Sequence, residues 1–436
     1  MAYTFRGGIH VNEHKDTSGI AIEKMKSPER VAIPLVQHIG APVKALVKKG
    51  DKVLAGQVIG RNDEALSCPV HASVSGTVVD IEARNSYTGI GKTEYIVIES
   101  DGKEEECEFN GLCDDFTLED VVKAVREAGI SGMGGATFPT YAKIQSAVGK
   151  AKELIVNCAE CEPYITANHR LLLESPDSII SGVKILMKAL SIEKAVFAVE
   201  NNKKDVIELL KSKFSEDNSL SVAVMKTKYP QGDERQIMYA LHGVQLPQGK
   251  LPADVGFVIF NAETCAAVHH AVKEGRPLIK RVVTVAGDCI KNPKNLLIPL
   301  GTSFNDVIEY CGGFSEIPEK IISGGPMMGT AQWDINTPVI KGTSAILALS
   351  KLPGVSGAGS CIHCGKCVGV CPMHLMPNYL ALFSSHDKVD MCEKYNCLSC
   401  VECGCCTYTC PGNVPIVQHI RKAKAAINDK RRKMKQ

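Results

Sequence analysis

Cys361-Ile362-His363-Cys364-Gly365-Lys366-Cys367-Val368-Gly369-Val370-Cys371-Pro372 reads C-x2-C-x2-C-x3-C-P, and Cys400, Cys403, Cys406 and Cys410-Pro411 repeat the spacing. Three cysteines this close wrap one corner of a [4Fe–4S] cube, and the fourth reaches across to a second cube. One such run would leave zinc open; two in register, each with its trailing proline, argue against it. The spacing predicts a two-cluster module that moves single electrons. It assigns Cys361, Cys364, Cys367 and Cys410 to the first cluster, and Cys400, Cys403, Cys406 and Cys371 to the second.

At 436 residues the chain has room for about three domains. Its net charge of +2 gives no nucleic-acid signature. Of 19 cysteines, 11 lie in 361–410 and the others are scattered, with no secretory segment at 1–10. That pattern indicates a reducing compartment rather than a disulfide scaffold. There is no apolar run of the roughly 18 residues a bilayer span requires, so a soluble or peripheral protein is expected. Residues 421–436 carry eight Lys or Arg against the single acid Asp429. They read as a solvated basic tail, with contact to anionic lipid or an acidic partner as the alternative.

Short β-like runs and glycine turns fill 31–98, at 43–47, 53–59, 75–79 and 95–98, and predict a compact β-sandwich. Val-Lys-Lys-Gly-Asp-Lys-Val at 47–53 and Val-Ser-Gly-Thr-Val at 74–78 resemble the biotinyl/lipoyl barrel-sandwich modules. Those modules bear a modified lysine on a hairpin, whereas 61–90 contains no lysine, so a docking module is expected rather than a swinging arm. The acidic stretch 101–108 reads as a linker. Thr117-Leu118-Glu119-Asp120 forms a capping box opening a helix with apolar face Leu118, Val121, Val122 and Val125, and Gly129 stops it. From 153 to 225, strands at 154–156, 195–199 and 222–225 alternate with helices at 176–190 and 203–214, predicting a mainly parallel sheet. A strand and helix follow at 256–260 and 263–272. Residues 280–350 read as a small α+β unit, and a flexible 353–360 leads into the cysteine runs.

Ala128-Gly129-Ile130-Ser131-Gly132-Met133-Gly134-Gly135-Ala136-Thr137-Phe138-Pro139-Thr140 is the second informative stretch. Glycines packed this tightly let backbone N–H groups approach a phosphate. It is not a Rossmann fingerprint, because a helix precedes it, Thr137 stands where glycine would be needed and Pro139 interrupts continuation. A phosphate or nucleotide loop is expected, against the alternative of a structural turn.

This loop resembles the G-R-G-G-A-G-F-P-T segment of the NADH-binding flavoprotein subunit of respiratory complex I. Asn157-Cys158-Ala159-Glu160-Cys161-Glu162-Pro163 resembles N-x-D-E-x-E-P. Tyr229-Pro230-Gln231-Gly232-Asp233-Glu234 resembles Y-x-x-G-E-E, and Phe260-Asn261-Ala262-Glu263-Thr264 resembles N-N-V-E-T. The resemblance implies one cleft for FMN and NAD(H). Gly132, Gly134, Gly135 and Lys143 would line the phosphates, and Phe138 would lie beside the dinucleotide. Asn157, Tyr229, Asn261 and Thr264 would hold the flavin; Glu160, Glu162 and Glu234 would border nicotinamide and ribose. The chain departs from the pattern at Ala159, Phe260, Asp233 and Thr137, where the family has aspartate, asparagine, glutamate and glycine.

The module order, beginning with Phe5-Arg6-Gly7-Gly8-Ile9-His10, resembles RnfC, the peripheral C subunit of ion-translocating ferredoxin:NAD oxidoreductase (Rnf) complexes. Some members of that family carry long C-terminal repeats, whereas this sequence ends soon after the second run. The implied architecture is multidomain α/β plus β. It comprises an N-terminal segment and unmodified barrel-sandwich hybrid (1–100), a Rossmann-like FMN/NADH domain (115–275), an SLBB-like β-grasp domain (276–350), a helical ferredoxin-like domain with two [4Fe–4S] clusters (355–420) and the basic tail. Electrons from ferredoxin would pass indirectly, through membrane and ferredoxin-like subunits at the cytoplasmic face of the cell membrane, to the two clusters, then to FMN, and to NAD+ as hydride. Nicotinamide exchanges electron pairs and an iron–sulfur cube single electrons, so a flavin between them is required on chemical grounds. No catalytic side chain is required for hydride transfer.

Cys397 and Cys405 fit neither run and read as spare thiols. Cys158 and Cys161 form a C-x-x-C without a second pair, His363 reads as a surface residue, and His269-His270 as helix packing. Two other readings compete: a soluble flavin/iron–sulfur reductase like the cobalamin reductases, and an electron-transfer adaptor without a working nucleotide site.

Overall fold

Strands whose residues are apolar on both faces build the central unit. In the computed structural model, which describes residues 2–87, 91–350 and 359–434, four parallel strands lie in the spatial order Leu220–Met225, Ala195–Glu200, Glu153–Asn157 and Phe257–Asn261. Leu154, Val156, Phe197 and Val199 share one core with Val183, Leu186 and Val268 of the helices Pro176–Leu190 and Ala262–Lys273. Ile155, Ala198 and Ile259 share another with Ile237 and Met238 of the helix Glu234–His242. Successive strand residues thus face opposite helical layers, as in a doubly covered parallel sheet.

The helix Leu118–Glu127 opens on the expected capping box: Asp120 N–H donates to Thr117 Oγ1 (3.2 Å) and Thr117 N–H to Asp120 Oδ2 (2.9 Å). Val121 and Val125 are fully buried, and Gly129 leaves the helix at φ +65°.

Ahead of this unit stand two antiparallel sheets. One orders Arg30–Pro34, Lys92–Ser100, Gly76–Asn85 and Lys52–Val53; the other Lys44–Ala45, Val58–Arg61 and Val70–His71. Val31, Ile33, Ile59, Val78, Ile96 and Ile98 fill the space between them. The turn that bears the modified lysine in carrier modules is fixed here. Arg61 pairs with Glu127, Arg126 with Asp63 (3.1 Å), and the Cys68 thiol donates to the Ile130 carbonyl (3.5 Å). The acidic 101–108 stretch is likewise docked, with Ala55 N–H donating to Glu105 O and Cys107 N–H to Ala55 O, both at 2.9 Å.

A six-stranded sheet follows, ordered Ile22–Lys24, Lys294–Pro299, Lys280–Ala286, Ala345–Leu349, Lys320–Ser323 and Thr330–Gln332, and covered by the helix Phe304–Tyr310. Its first strand comes from the N-terminal segment, which straps the units together. Tyr3 N–H donates to Val224 O (2.9 Å), and Ile9 and Tyr229 exchange two backbone bonds of 2.9 Å.

Residues 421–433 are not a trailing tail. They belong to the helix Ile416–Lys433, whose Ile416, Val417, Ile420, Ala423 and Ile427 pack against Leu380 and Cys392 of the cysteine module. Its basic face is laced to acids of the same module: Arg421 to Glu402 (2.9 Å), Lys422 to Asp387 (2.7 Å), Lys430 to Asp390 and Arg431 to Glu393 (both 2.5 Å). Of the expected flexible 353–360 linker, 353–358 fall outside the described residues, as do the last two of 421–436. Among the described residues no helix is long and apolar enough to cross a membrane.

Candidate functional site

Chain order places the site. After Glu153–Asn157 the sheet grows first to one side, through Ala195–Glu200 and Leu220–Met225, and then to the other, through Phe257–Asn261. The order therefore reverses between Glu153–Asn157 and Phe257–Asn261, and the carboxyl ends of these two neighbouring strands mark the place where ligands of such sheets bind, in a crevice. Asn157 and Asn261 are register partners at that edge. Asn157 accepts from Ala159 N–H (3.1 Å) and donates to Gly232 O (2.9 Å). Asn261 caps its helix by accepting from Glu263 N–H (2.9 Å).

The glycine loop closes over this crevice. Gly132 N–H donates to Phe138 O (2.9 Å) and Thr140 N–H to Ile130 O (3.0 Å), pinching the base. Met133 N–H donates to Thr264 Oγ1 (3.1 Å). Gly134 lies against the Asn261 amide, where a Cβ would sit 2.7 Å from Nδ2; only glycine allows that approach. Gly135 and the half-exposed Phe138 sit at the tip. Among the described residues, no acceptor meets the N–H groups of residues 134–138. Lys143, on the helix Thr140–Ala147, pairs with Glu234 (2.5 Å) and stands 5.4 Å from the Phe260 ring centre.

Free N–H groups, a lysine ammonium, and the buried Ser131 and Thr140 hydroxyls, which have no partner among the described residues, form a donor set that fits an anionic phosphate. Two departures from the family pattern have local roles: Asp233 caps its helix by accepting from Arg235 and Gln236 N–H (3.0 and 3.2 Å), and Phe260 lies under Lys143.

Three residues expected along the cleft have other partners. The Glu160 carboxylate accepts from Asn168 and His169 N–H (2.9 and 3.3 Å), capping the helix Ala167–Glu174. Glu162 accepts from Met327 and Met328 N–H (3.0 and 2.8 Å) of the six-stranded unit, and burial pushes its pKa up to about 7. The Tyr229 hydroxyl donates to Cys403 O (2.7 Å).

Residues absent from the motif reading complete the site. Lys15 of the N-terminal strap donates to the carbonyls of Glu160, Glu162 and Ile165 (2.7, 2.8 and 2.5 Å), and burial lowers its pKa. Arg281, nearly fully buried, pairs with Glu263 (3.2 Å) and donates to Lys341 O (2.9 Å). No local pattern marks either, since their partners lie more than a hundred residues away or in a different unit.

In the cysteine module, Cys371, Cys400, Cys403 and Cys406, and with them the extra Cys405, line one cavity together with Val417 and Ile420. Backbone N–H groups donate to two of these sulfurs, Leu375 to Cys371 (3.4 Å) and Glu402 to Cys400 (3.3 Å). Of the other four, Cys367 is buried, Cys410 half-buried, and Cys361 and Cys364 exposed. Gly359 and Ser360 approach Gly412 so closely that a Cβ at Gly359 would lie 2.4 Å from its carbonyl, which brings the start of the first run to the end of the second.

Cys405, outside both sets, directs its thiol toward Tyr229 O, and Cys397 toward Ile420 O. Cys158 and Cys161 are free thiols. His269 bonds to Ser181 (2.8 Å) and His270 to Glu274 (3.0 Å).

One segment joins cleft and cavity. Tyr229 bonds to Cys403, Gly232 O accepts from Asn157, Glu234 holds Lys143, and Arg235 donates to Ser399 O (3.3 Å).

Comparison with known proteins agrees with this arrangement. Residues 125–270 match the Nuo51 FMN-binding domain, 3–103 the RnfC barrel sandwich hybrid domain, and 282–331 the SLBB domain. The chain is 47% identical over 432 residues to the C subunit of the proton-translocating ferredoxin:NAD(+) oxidoreductase complex of Clostridium ljungdahlii, covering 98% of this chain and 94% of that one. It is 45% identical over 436 residues to the Na(+)-translocating counterpart of Acetobacterium woodii, covering 99% and 98%. An NAD+-reducing [NiFe]-hydrogenase in the H2-reduced state shares the fold, with a TM-score of 0.50 and 17% identity over 71% of this chain and 62% of that chain. With near-full-length identity far above 30% and all three domain types in order, the chain belongs to the RnfC family, the electron-transferring C subunits of multi-subunit, ion-translocating ferredoxin:NAD+ oxidoreductase complexes.

Proposed function

We propose that this protein passes electrons between NAD(H), FMN and two [4Fe–4S] clusters. A bound flavin supplies the exchange between hydride and single electrons, which no side chain can perform. Gly132, Gly134, Gly135 and Lys143 hold the phosphate end, and Asn157, Asn261 and Thr264 fix the crevice wall beside the isoalloxazine. Phe138 and Glu234 border the dinucleotide. Glu160, Glu162 and Tyr229 act through what they hold: a helix cap, the six-stranded unit and the Cys403 loop. The first cluster takes Cys361, Cys364, Cys367 and Cys410; the second takes Cys400, Cys403, Cys406 and Cys371. Cys371 of the first run lining one cavity with Cys400, Cys403 and Cys406 of the second, beside Cys405, supports the crossed assignment.

The observation that carries the reading is the 229–235 segment, which touches the nucleotide crevice at one end and the cysteine cavity at the other. Partners are the membrane and ferredoxin-like subunits of the complex, with ferredoxin reached indirectly, at the cytoplasmic face of the membrane. Anaerobic reconstitution with iron, sulfide and FMN tests the cofactor set. About eight iron atoms per chain and tightly held FMN are expected, with Lys143→Ala weakening FMN binding and leaving iron unchanged. Iron near four, or no retained flavin, refutes the reading.

A further inference from the structure

We propose that the 340–343 turn of the six-stranded unit, centred on Lys341 and Gly342, is a backing plate that positions the glycine loop to receive the flavin phosphate; this rests on the flavin reading above. The turn meets the loop directly at two points and, through Arg281, at a third. Lys341 Nζ donates to Gly129 O (2.7 Å) at the loop's entry and to Pro69 O (2.9 Å) of the barrel-sandwich unit. Lys341 O accepts from Arg281 Nη1 (2.9 Å), and the same guanidinium reaches Met133 O (3.4 Å) in the middle of the loop. Gly342 abuts the loop's far end, where a Cβ would lie 2.5 Å from Thr137 Cγ2.

The physical consequence concerns which way the peptide groups point. The Gly129, Ile130 and Met133 carbonyls are engaged by Lys341, by Cys68 and Thr140, and by Arg281. A peptide group held by its carbonyl has its N–H turned the other way, and the N–H groups of 134–138 have no acceptor among the described residues. Thr137 sits at φ +52°, a left-handed conformation disfavoured for a β-branched residue and held only where the surroundings enforce it. Gly342 supplies the space that lets it stay there.

The lysine itself argues for a ligand. Lys341 is 1% exposed, and among the described residues no carboxylate pairs with it. A buried ammonium without a counter-charge is costly, and a bound phosphate would place about two negative charges in the loop that Lys341 anchors. Because the turn belongs to a different unit from the loop, Lys341 and Gly342 are positioning residues, acting through Gly129 and Thr137.

The test compares FMN with riboflavin, which differs only in lacking the phosphate, by fluorescence titration of the full chain carrying Lys341→Met, Gly342→Ala, or Gly342→Ala with Thr137→Gly. FMN affinity is expected to fall about tenfold or more in each single variant, with riboflavin affinity changed less than about twofold. The added Thr137→Gly removes the atom that the new methyl group would strike, and FMN affinity should return. Equal weakening of FMN and riboflavin, unchanged FMN affinity, or no rescue overturns the proposal. If Lys341→Met does not fold, the Gly342 and Thr137 variants decide. A wild-type chain that binds FMN no better than riboflavin instead defeats the phosphate-site reading, and the proposal with it.

Discussion

Replacing Tyr229 with phenylalanine removes one oxygen from the seam between the crevice and the cysteine module. The ring is 1% exposed and keeps its packing against Ile9, Cys403 and Cys405, so the change is confined to the 2.7 Å bond donated to Cys403 O. A typical intramolecular hydrogen bond contributes about 0.5–1.5 kcal/mol net, and a buried carbonyl left unsatisfied costs up to about 3 kcal/mol. The seam should weaken by about 1–3 kcal/mol, which raises its open population roughly 5- to 150-fold. Hydrogen exchange reads this at Tyr408 and Thr409, whose amides donate to Gly404 O and Cys405 O beside the cavity. Their exchange should accelerate by that factor, while amides of Glu153–Asn157 stay as in the wild type. Rates at Tyr408 and Thr409 within twofold of wild type would refute the view that this hydroxyl holds the seam.

Cys371→Ser should remove the second cluster, although Cys371 sits in the first run; iron should fall by about half, and the surviving electron paramagnetic resonance signal should match that left by Cys406→Ser rather than by Cys367→Ser. Glu162, with its pKa raised to about 7 from an ordinary 4.5 by burial, binds a proton more tightly folded than unfolded. Its contribution is complete below about pH 4.5 and is lost as pH rises through about 7, by at most about 3 kcal/mol; Glu162→Gln should flatten that part of a thermal-stability profile. In the C-terminal helix, Ile427→Ala deletes a fully buried side chain and should cost about 2–5 kcal/mol. Lys430→Ala breaks only an exposed pair and should cost less than about 1 kcal/mol in chemical denaturation.

The parallel sheet was legible because its strands are short apolar runs bounded by turn residues, and the expected 154–156 and 195–199 strands lie within Glu153–Asn157 and Ala195–Glu200. The capping box at Thr117 was legible because both of its partners lie within four residues. The N-terminal strap was not, since Tyr3 and Ile9 find partners at Val224 and Tyr229, and the three residues Ile22–Lys24 join a sheet formed hundreds of residues later. For the C-terminal helix, charge alone misleads. Ile416, Ile420 and Ile427 recur at helical spacing, and that stripe decides burial while the lysines and arginines pair locally. Within the site, the motifs located the crevice walls at Asn157, Asn261 and the glycine loop. Motif spacing could not show that Glu160, Glu162 and Tyr229 bond to other parts of the fold, because their partners belong to different elements. Lys341 was invisible for the same reason: its interaction is with carbonyls, which every residue has.

Crevice and cysteine cavity should work as one circuit within a single chain. Rapid anaerobic mixing of the reconstituted chain with NADH, followed at wavelengths that separate flavin from iron–sulfur absorbance, tests this most directly. The circuit predicts that flavin bleaches first and the clusters follow within the same chain, at a rate independent of protein concentration. Flavin that bleaches while the clusters stay oxidised, or clusters reduced only as fast as chains collide, would contradict it.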